Sequence, residues 1–171
     1  MKTILTGMKQ FWKTFSSKPK SYQLITYLAG PMEHTADNGF GWRSEYKKDL
    51  QKLHILSVIP SDYETELIPD PEQFQRDKQF FLNRFLKTMR AIIKLDLKFV
   101  ETVDFVITRW EGERCSGTIG EAQHAFLIGK PNYLVTSKPF HEVPGWFLAC
   151  FTELFHTKEE LYKFLKAEYK R

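Results

Sequence analysis

Short unbroken apolar runs alternate along the chain with longer segments in which apolar positions recur every three or four residues. The runs at 22–29 (YQLITYLA), 54–59 (HILSVI), 103–108 (VDFVIT) and 133–136 are rich in β-branched and aromatic residues, and Gly30-Pro31 and Pro60 stop the first two. Runs of that length and composition predict buried strands. Segments 43–53, 71–100 and 118–128 carry the helical period instead. In the second of these Phe81, Phe85, Met89, Ile92, Ile93 and Val100 mark one stripe, which predicts a long helix or two abutting ones with Pro71 in a first turn. A polar, proline-containing loop is expected up to about Asp70. Gly129 and Pro131 close the third helix, 150–155 allows a fifth strand, and an amphipathic helix is expected from Leu161 onward.

Strands alternating with helices predict an α/β fold, flavodoxin-like or Rossmann-like. It has an open parallel sheet of about five strands with helices on both faces, because right-handed crossovers place them there. Ligands of such sheets bind beyond the carboxyl ends of the strands, so 30–33 and 109–120 are expected to line one crevice.

Ahead of the first strand, Ile4, Leu5, Met8, Phe11, Trp12 and Phe15 also fall at helical spacing, beside five lysines and no acid before Met32. Residues 1–20 therefore read as a basic amphipathic segment and linker, and 21–171 as the domain. The segment either packs on its own domain or a second subunit, which is the plainer reading, or lies on a membrane or an acidic partner. It lacks the unbroken apolar core and small-residue cleavage site of a signal peptide.

Composition narrows the function classes. A chain of 171 residues suits one core, and 25 basic against 21 acidic residues is too mild an excess to point to nucleic acid. Cys115 and Cys150 make no disulfide framework, and neither they nor the five histidines show ligand spacing. No metal or cofactor is expected, and a reducing cytoplasm fits. No apolar run approaches the roughly 18 residues of a membrane span.

Three pieces of sequence converge on the expected crevice. Tyr27 precedes Gly30, Pro31 and Met32, where the glycine lets the backbone approach a ligand closely. Asp96 shares a helical face with Ile92, Ile93, Phe99 and Val100, so its carboxylate either pairs with a cation such as Arg43 or works on a ligand. Ser116, Gly117 and Thr118 form a small-residue turn that brings Glu121 onto the first turn of a helix. Thr118 and Glu121 also fit a T-x-x-E capping box, which would make the acid structural.

Taken in order, these pieces resemble the nucleoside 2-deoxyribosyltransferase family and its relatives that hydrolyse nucleoside 5′-monophosphates. The matching residues are Tyr27-Leu28-Ala29-Gly30, Asp96-Leu97, Val103-Asp104 with FVI, Gly117 to Glu121, and Gly129-Lys130-Pro131, over roughly 22–136. The resemblance implies that Glu121 attacks the anomeric carbon, that Asp96 acts near the base and sugar, and that Tyr27 orients the nucleophile. It also implies a nucleoside or nucleotide ligand and a homo-oligomer, for which Trp146-Phe147 and the N-terminal segment offer surface. A nucleotide N-hydrolase or a catalytically silent nucleotide-binding module are the alternatives. Asp104 reads as structural.

Departures from the family pattern matter too. Cys115 stands where several transferases carry an acid, and Pro31 and Glu33 stand where the nucleotide hydrolases carry the Ser and Arg that hold phosphate. Arg43, Arg109, Arg114 and Ser116 are candidates for another grip, and Trp42 for stacking on a base.

Overall fold

The computed structural model describes residues 23–32, 35–64 and 67–169, and every structural statement refers to these. Five strands form one parallel sheet: β1 (Leu24–Ala29), β2 (Ile55–Val58), β3 (Phe105–Arg109), β4 (Asn132–Val135) and β5 (Glu153–Phe155), in the spatial order β2-β1-β3-β4-β5. That order is flavodoxin-like, and its switch point lies between β1 and β3. Tyr27 pairs with Val58 on one side and Val106 on the other, deep in the sheet.

The helices are α1 (Phe40–Lys52), α2 (Ser61–Glu64), α3 (Pro71–Phe80), α4 (Leu82–Thr102), α5 (Ser116–Leu127), α6 (Gly145–Leu148) and α7 (Lys158–Glu168), with a 3-10 turn at Phe140–Glu142. Strand alternation sorts the core between two faces. Ile25, Tyr27, Ala29, Val58 and Val106 point to one face and pack with Leu95, Phe99 and Val100 of α4 and Ala125 of α5. Leu28, Ile55, Phe105, Ile107, Tyr133 and Val135 point to the other, under Tyr46 and Leu50 of α1 and Leu161 and Leu165 of α7.

Several boundaries differ from the sequence expectation for identifiable reasons. The first helix starts at Phe40, three residues early, because Asp37 accepts from the Gly39 and Gly41 N–H groups at 2.9 and 2.6 Å and organises its entry. It ends at Leu53-His54, where His54 takes φ 58° and so stands outside the strand expected to include it. The segment 71–100 takes the second of its two expected forms, a pair of abutting helices broken at Phe81 (φ −134°, ψ 56°), and Asp70 caps the first by accepting from the Gln73 N–H at 2.9 Å. A short helix, α2, interrupts the loop after β2. Asp104 accepts from the Ile25 N–H at 2.7 Å and so pins the start of β3 to the start of β1. The last helix begins at Lys158 behind a complete capping box of Thr157 and Glu160.

Phe147, expected to offer oligomer surface, is a core residue packed with Trp110, Ala122 and Leu134, while Trp146 beside it is 76% exposed. The amphipathic segment 1–20 and Glu33 lie outside the described residues. Among the described residues no helix is long and apolar enough to cross a membrane.

Candidate active site

Tyr27 is fully buried, with its ring 6.4 Å from that of Phe99 and its hydroxyl donating to Glu121 Oε1 at 2.6 Å. That length is typical of a charge-assisted O–H···O⁻ bond. Glu121 reaches the tyrosine because α5 lies close to the sheet: Thr118, Ala122 and Ala125 are its buried residues, none of them large. Glu121 itself is half-buried at the sheet-facing edge of the helix.

The capping-box reading of Glu121 is corrected by this geometry. The helix begins at Ser116, with Cys115 before it and no side chain capping it, so Glu121 falls in the second turn rather than the first. Thr118 is buried inside the helix, and its hydroxyl meets the Cys115 thiol. Burial pushes the Cys115 thiol pKa up, and the carboxylates of Glu121 and Glu113 act in the same direction.

Asp96 sits half-buried on α4, among the buried Ile92, Leu95, Phe99 and Val100; Ile93, expected on the same face, is half exposed. Because α4 ends just before β3 begins, its earlier turns lie nearer the carboxyl ends of the strands. Asp96 therefore stands one turn, about 5 Å, further toward those ends than Phe99, the residue against Tyr27. α4 packs beside α5, so Asp96, Tyr27 and Glu121 belong to one face of the sheet.

The loop after β1 is built differently. Arg43 is 2% exposed, and its guanidinium donates to the carbonyl oxygens of Leu28 (3.2 Å), Gly30 (2.6 Å), Pro31 (3.4 Å) and Gly39 (3.0 Å). One buried side chain thereby bonds four backbone carbonyls around the loop. The close approach at Gly30 is also internal: a Cβ there would lie 2.6 Å from the Trp42 ring and 3.0 Å from the Arg109 carbonyl oxygen. Gly39 is held at φ 72°, with Arg43 and the Pro31 carbonyl where its Cβ would be. Trp42 is half-buried between two guanidinium groups, Arg43 at 4.5 Å and Arg109 at 5.9 Å from its ring. Pro31 is buried and Met32 half-buried beside them.

The turn after β3 contributes two residues that sequence reasoning missed, Glu111 and Glu113. The candidate Arg109 lies 3.7 Å from Glu111 and 3.9 Å from Glu113. The Glu113 carboxylate accepts from the Glu111 N–H at 2.6 Å, and the Glu111 carboxylate accepts from the Ser137 N–H at 3.1 Å and from its hydroxyl. The Trp110 indole N–H donates to the Glu113 carbonyl at 2.9 Å. Two acids bracketing a glycine just after an Arg were the available signal. Asp37 was missed as well, though Asp-Asn-Gly is a turn signature; its two backbone bonds hold its carboxyl below the usual range. Beyond this turn Ser116 and Gly117 are exposed, and a Cβ at Gly117 or Gly120 would meet open space.

The structure thus joins Tyr27 to Glu121, sets Asp96 on the adjoining helix, and brings Gly30, Trp42, Arg43 and Arg109 together at the switch point. Ser116, Gly117 and Thr118 open the helix that carries Glu121. Among the described residues no group of three or more His, Cys, Asp or Glu gathers as a metal site.

A solved structure of a conserved protein from Enterococcus faecalis V583 superposes on this chain with a TM-score of 0.62 and 14% identity, over 85% of this chain and 99% of that one. Likeness at that identity shows the fold alone. No protein-family model and no curated protein matches the chain.

Proposed function

We propose that this protein breaks the N-glycosidic bond of 2′-deoxyribonucleosides or their 5′-monophosphates, as the resemblance to the nucleoside 2-deoxyribosyltransferases suggests. The observation that carries the reading is the 2.6 Å bond from the buried Tyr27 hydroxyl to Glu121 Oε1. It holds a carboxylate in a defined orientation, as a nucleophile needs.

In this reaction a Glu121 carboxylate oxygen bonds to the anomeric carbon as the carbon–nitrogen bond breaks and its electron pair leaves with the base. Positive charge that builds on the sugar is met by the same carboxylate. The departing base takes a proton from the Asp96 carboxyl in its acid form. A second base, or water, then attacks the anomeric carbon and displaces Glu121, with Asp96 receiving the proton that the attacking group loses.

Incubating wild type and Glu121→Gln with deoxynucleosides and their monophosphates, with and without an acceptor base, tests the reading. Wild type is expected to release base or to exchange it, and the folded variant to do neither. Exchange marks a transferase; free sugar marks a hydrolase. Ligand binding without turnover by wild type overturns the reading in favour of a binding module.

A further inference from the structure

We propose that Glu111 and Glu113 are specificity-determining residues that make the crevice refuse 5′-phosphorylated substrates, an inference that rests on the glycosidic reading above. A phosphomonoester brings roughly −1.5 to −2 charges at neutral pH. Proteins hold it with guanidinium or ammonium groups, or on the uncovered N–H groups of a helix start. At the carboxyl ends of β1 and β3 the two arginines nearest the sheet, Arg43 and Arg109, are already engaged.

Arg43 is buried and donates to four backbone carbonyls, so turning it toward a ligand would strip the loop that shapes the crevice. Arg109 is flanked by the Glu111 and Glu113 carboxylates at 3.7 and 3.9 Å. Neither acid is loose: Glu113 is anchored by the Glu111 N–H and Glu111 by the N–H and hydroxyl of Ser137. A phosphate reaching Arg109 must therefore lie against two anchored carboxylates.

The start of α1 is covered as well. The Asp37 carboxylate takes the N–H groups of Gly39 and Gly41 at the entry to α1. At the entry to α5 no side chain caps the helix, but Glu113 stands two residues before Cys115 and Glu121 in the second turn, so anionic charge lies along the chain on both sides of that helix end. Arg114 is exposed, and Lys138 lies over Gly112, where a Cβ would sit 3.4 Å from its Cε. A neutral deoxynucleoside meets no such opposition.

The test compares a deoxynucleoside with its 5′-monophosphate in turnover and in calorimetric binding, using the full chain at about 20 mM and about 500 mM salt, where screening of charge repulsion differs strongly. The nucleoside is expected to be preferred about tenfold or more in kcat/KM and in affinity at low salt, the gap closing as salt rises. Glu111→Gln and Glu113→Gln each keep an accepting carbonyl oxygen while removing the charge. Each is expected to narrow the low-salt gap by roughly three- to tenfold through a gain on the monophosphate, a ratio that mere loosening of the turn does not move. Equal use of the two substrates overturns the proposal, as does a monophosphate preference or a gap that neither salt nor either variant moves. A monophosphate preference lost in Arg114→Ala would place the phosphate grip there instead. Binding that favours the nucleoside without turnover removes the glycosidic reading and leaves the charge selection standing; binding of neither ligand removes both.

Discussion

Tyr133, on the α1–α7 side of the sheet, and Tyr27, on the α4–α5 side, are both buried strand tyrosines whose hydroxyls bond a residue far along the chain. Tyr133 meets the hydroxyl of Tyr169 at 2.8 Å, a neutral pair that ties down the end of α7. Tyr27 meets a carboxylate. A neutral pair satisfies two polar groups at little cost, whereas drawing an acid toward a core costs free energy unless the acid is hydrogen-bonded or paired. The same residue type thus ties two elements together on one face and, in the proposed reaction, orients the nucleophile on the other. The acid, more than burial of the tyrosine, is what the proposed chemistry rests on.

The sharpest break in this comparison is Glu121→Gln, which keeps the shape and an acceptor for Tyr27 but removes the proposed nucleophile. Turnover is expected to fall on the order of 10³-fold or more with the thermal melt little changed, read by product chromatography and circular dichroism. Tyr27→Phe is expected next, at roughly 10- to 100-fold in kcat, together with about 1–3 kcal/mol of stability from a carboxylate that loses its donor. Steady-state kinetics should show the loss in kcat more than in KM.

Alkaline titration sharpens the contrast from the other face. Burial raises the pKa of Tyr46, Tyr133, Tyr162 and Tyr169, all on the α1–α7 side, so the folded chain keeps phenolic protons that the unfolded chain releases. Their contribution is complete below the ordinary tyrosine pKa of about 10 and is lost as pH rises above it, by up to about 1.4 kcal/mol per pH unit per tyrosine. Urea midpoints between pH 8 and 11 measure it. Tyr133→Phe is the smallest change, costing about 0.5–1.5 kcal/mol and leaving kcat/KM within about twofold. A loss of turnover equal to that of Tyr27→Phe would erase the distinction between the faces.

How much of this was legible depended on whether a feature is local. The strands were, because contiguous β-branched and aromatic runs stopped by Gly30-Pro31 and Pro60 suit little besides a buried strand, and their order with the helices implied the parallel sheet. The start of α5 was not, since Cys115 gives no capping signal and Thr118 gives a misleading one. Glu121, Asp96 and Tyr27 were picked out as candidates by pattern, but the Tyr27–Glu121 contact spans 94 residues. Gly30 was read as letting the backbone approach a ligand; the close approach is instead to Trp42 and the Arg109 carbonyl, which tertiary packing decides. The four carbonyls under Arg43 were equally hidden, because no spacing rule aims a guanidinium at a loop.

The Asp104 carboxylate on the Ile25 N–H joins residues 79 apart, and this bears on how the chain assembles. The interior strand β1 is made before β2 and β3, yet its β3 edge must wait until residue 109 exists, while β2, within 31 residues of it, pairs earlier. Closing the longer loop is an entropic cost met before the contact repays it, so docking of β3 is the step expected to limit the folding rate. Until then β1 exposes the unpaired edge of an apolar strand, open to pairing with another nascent chain.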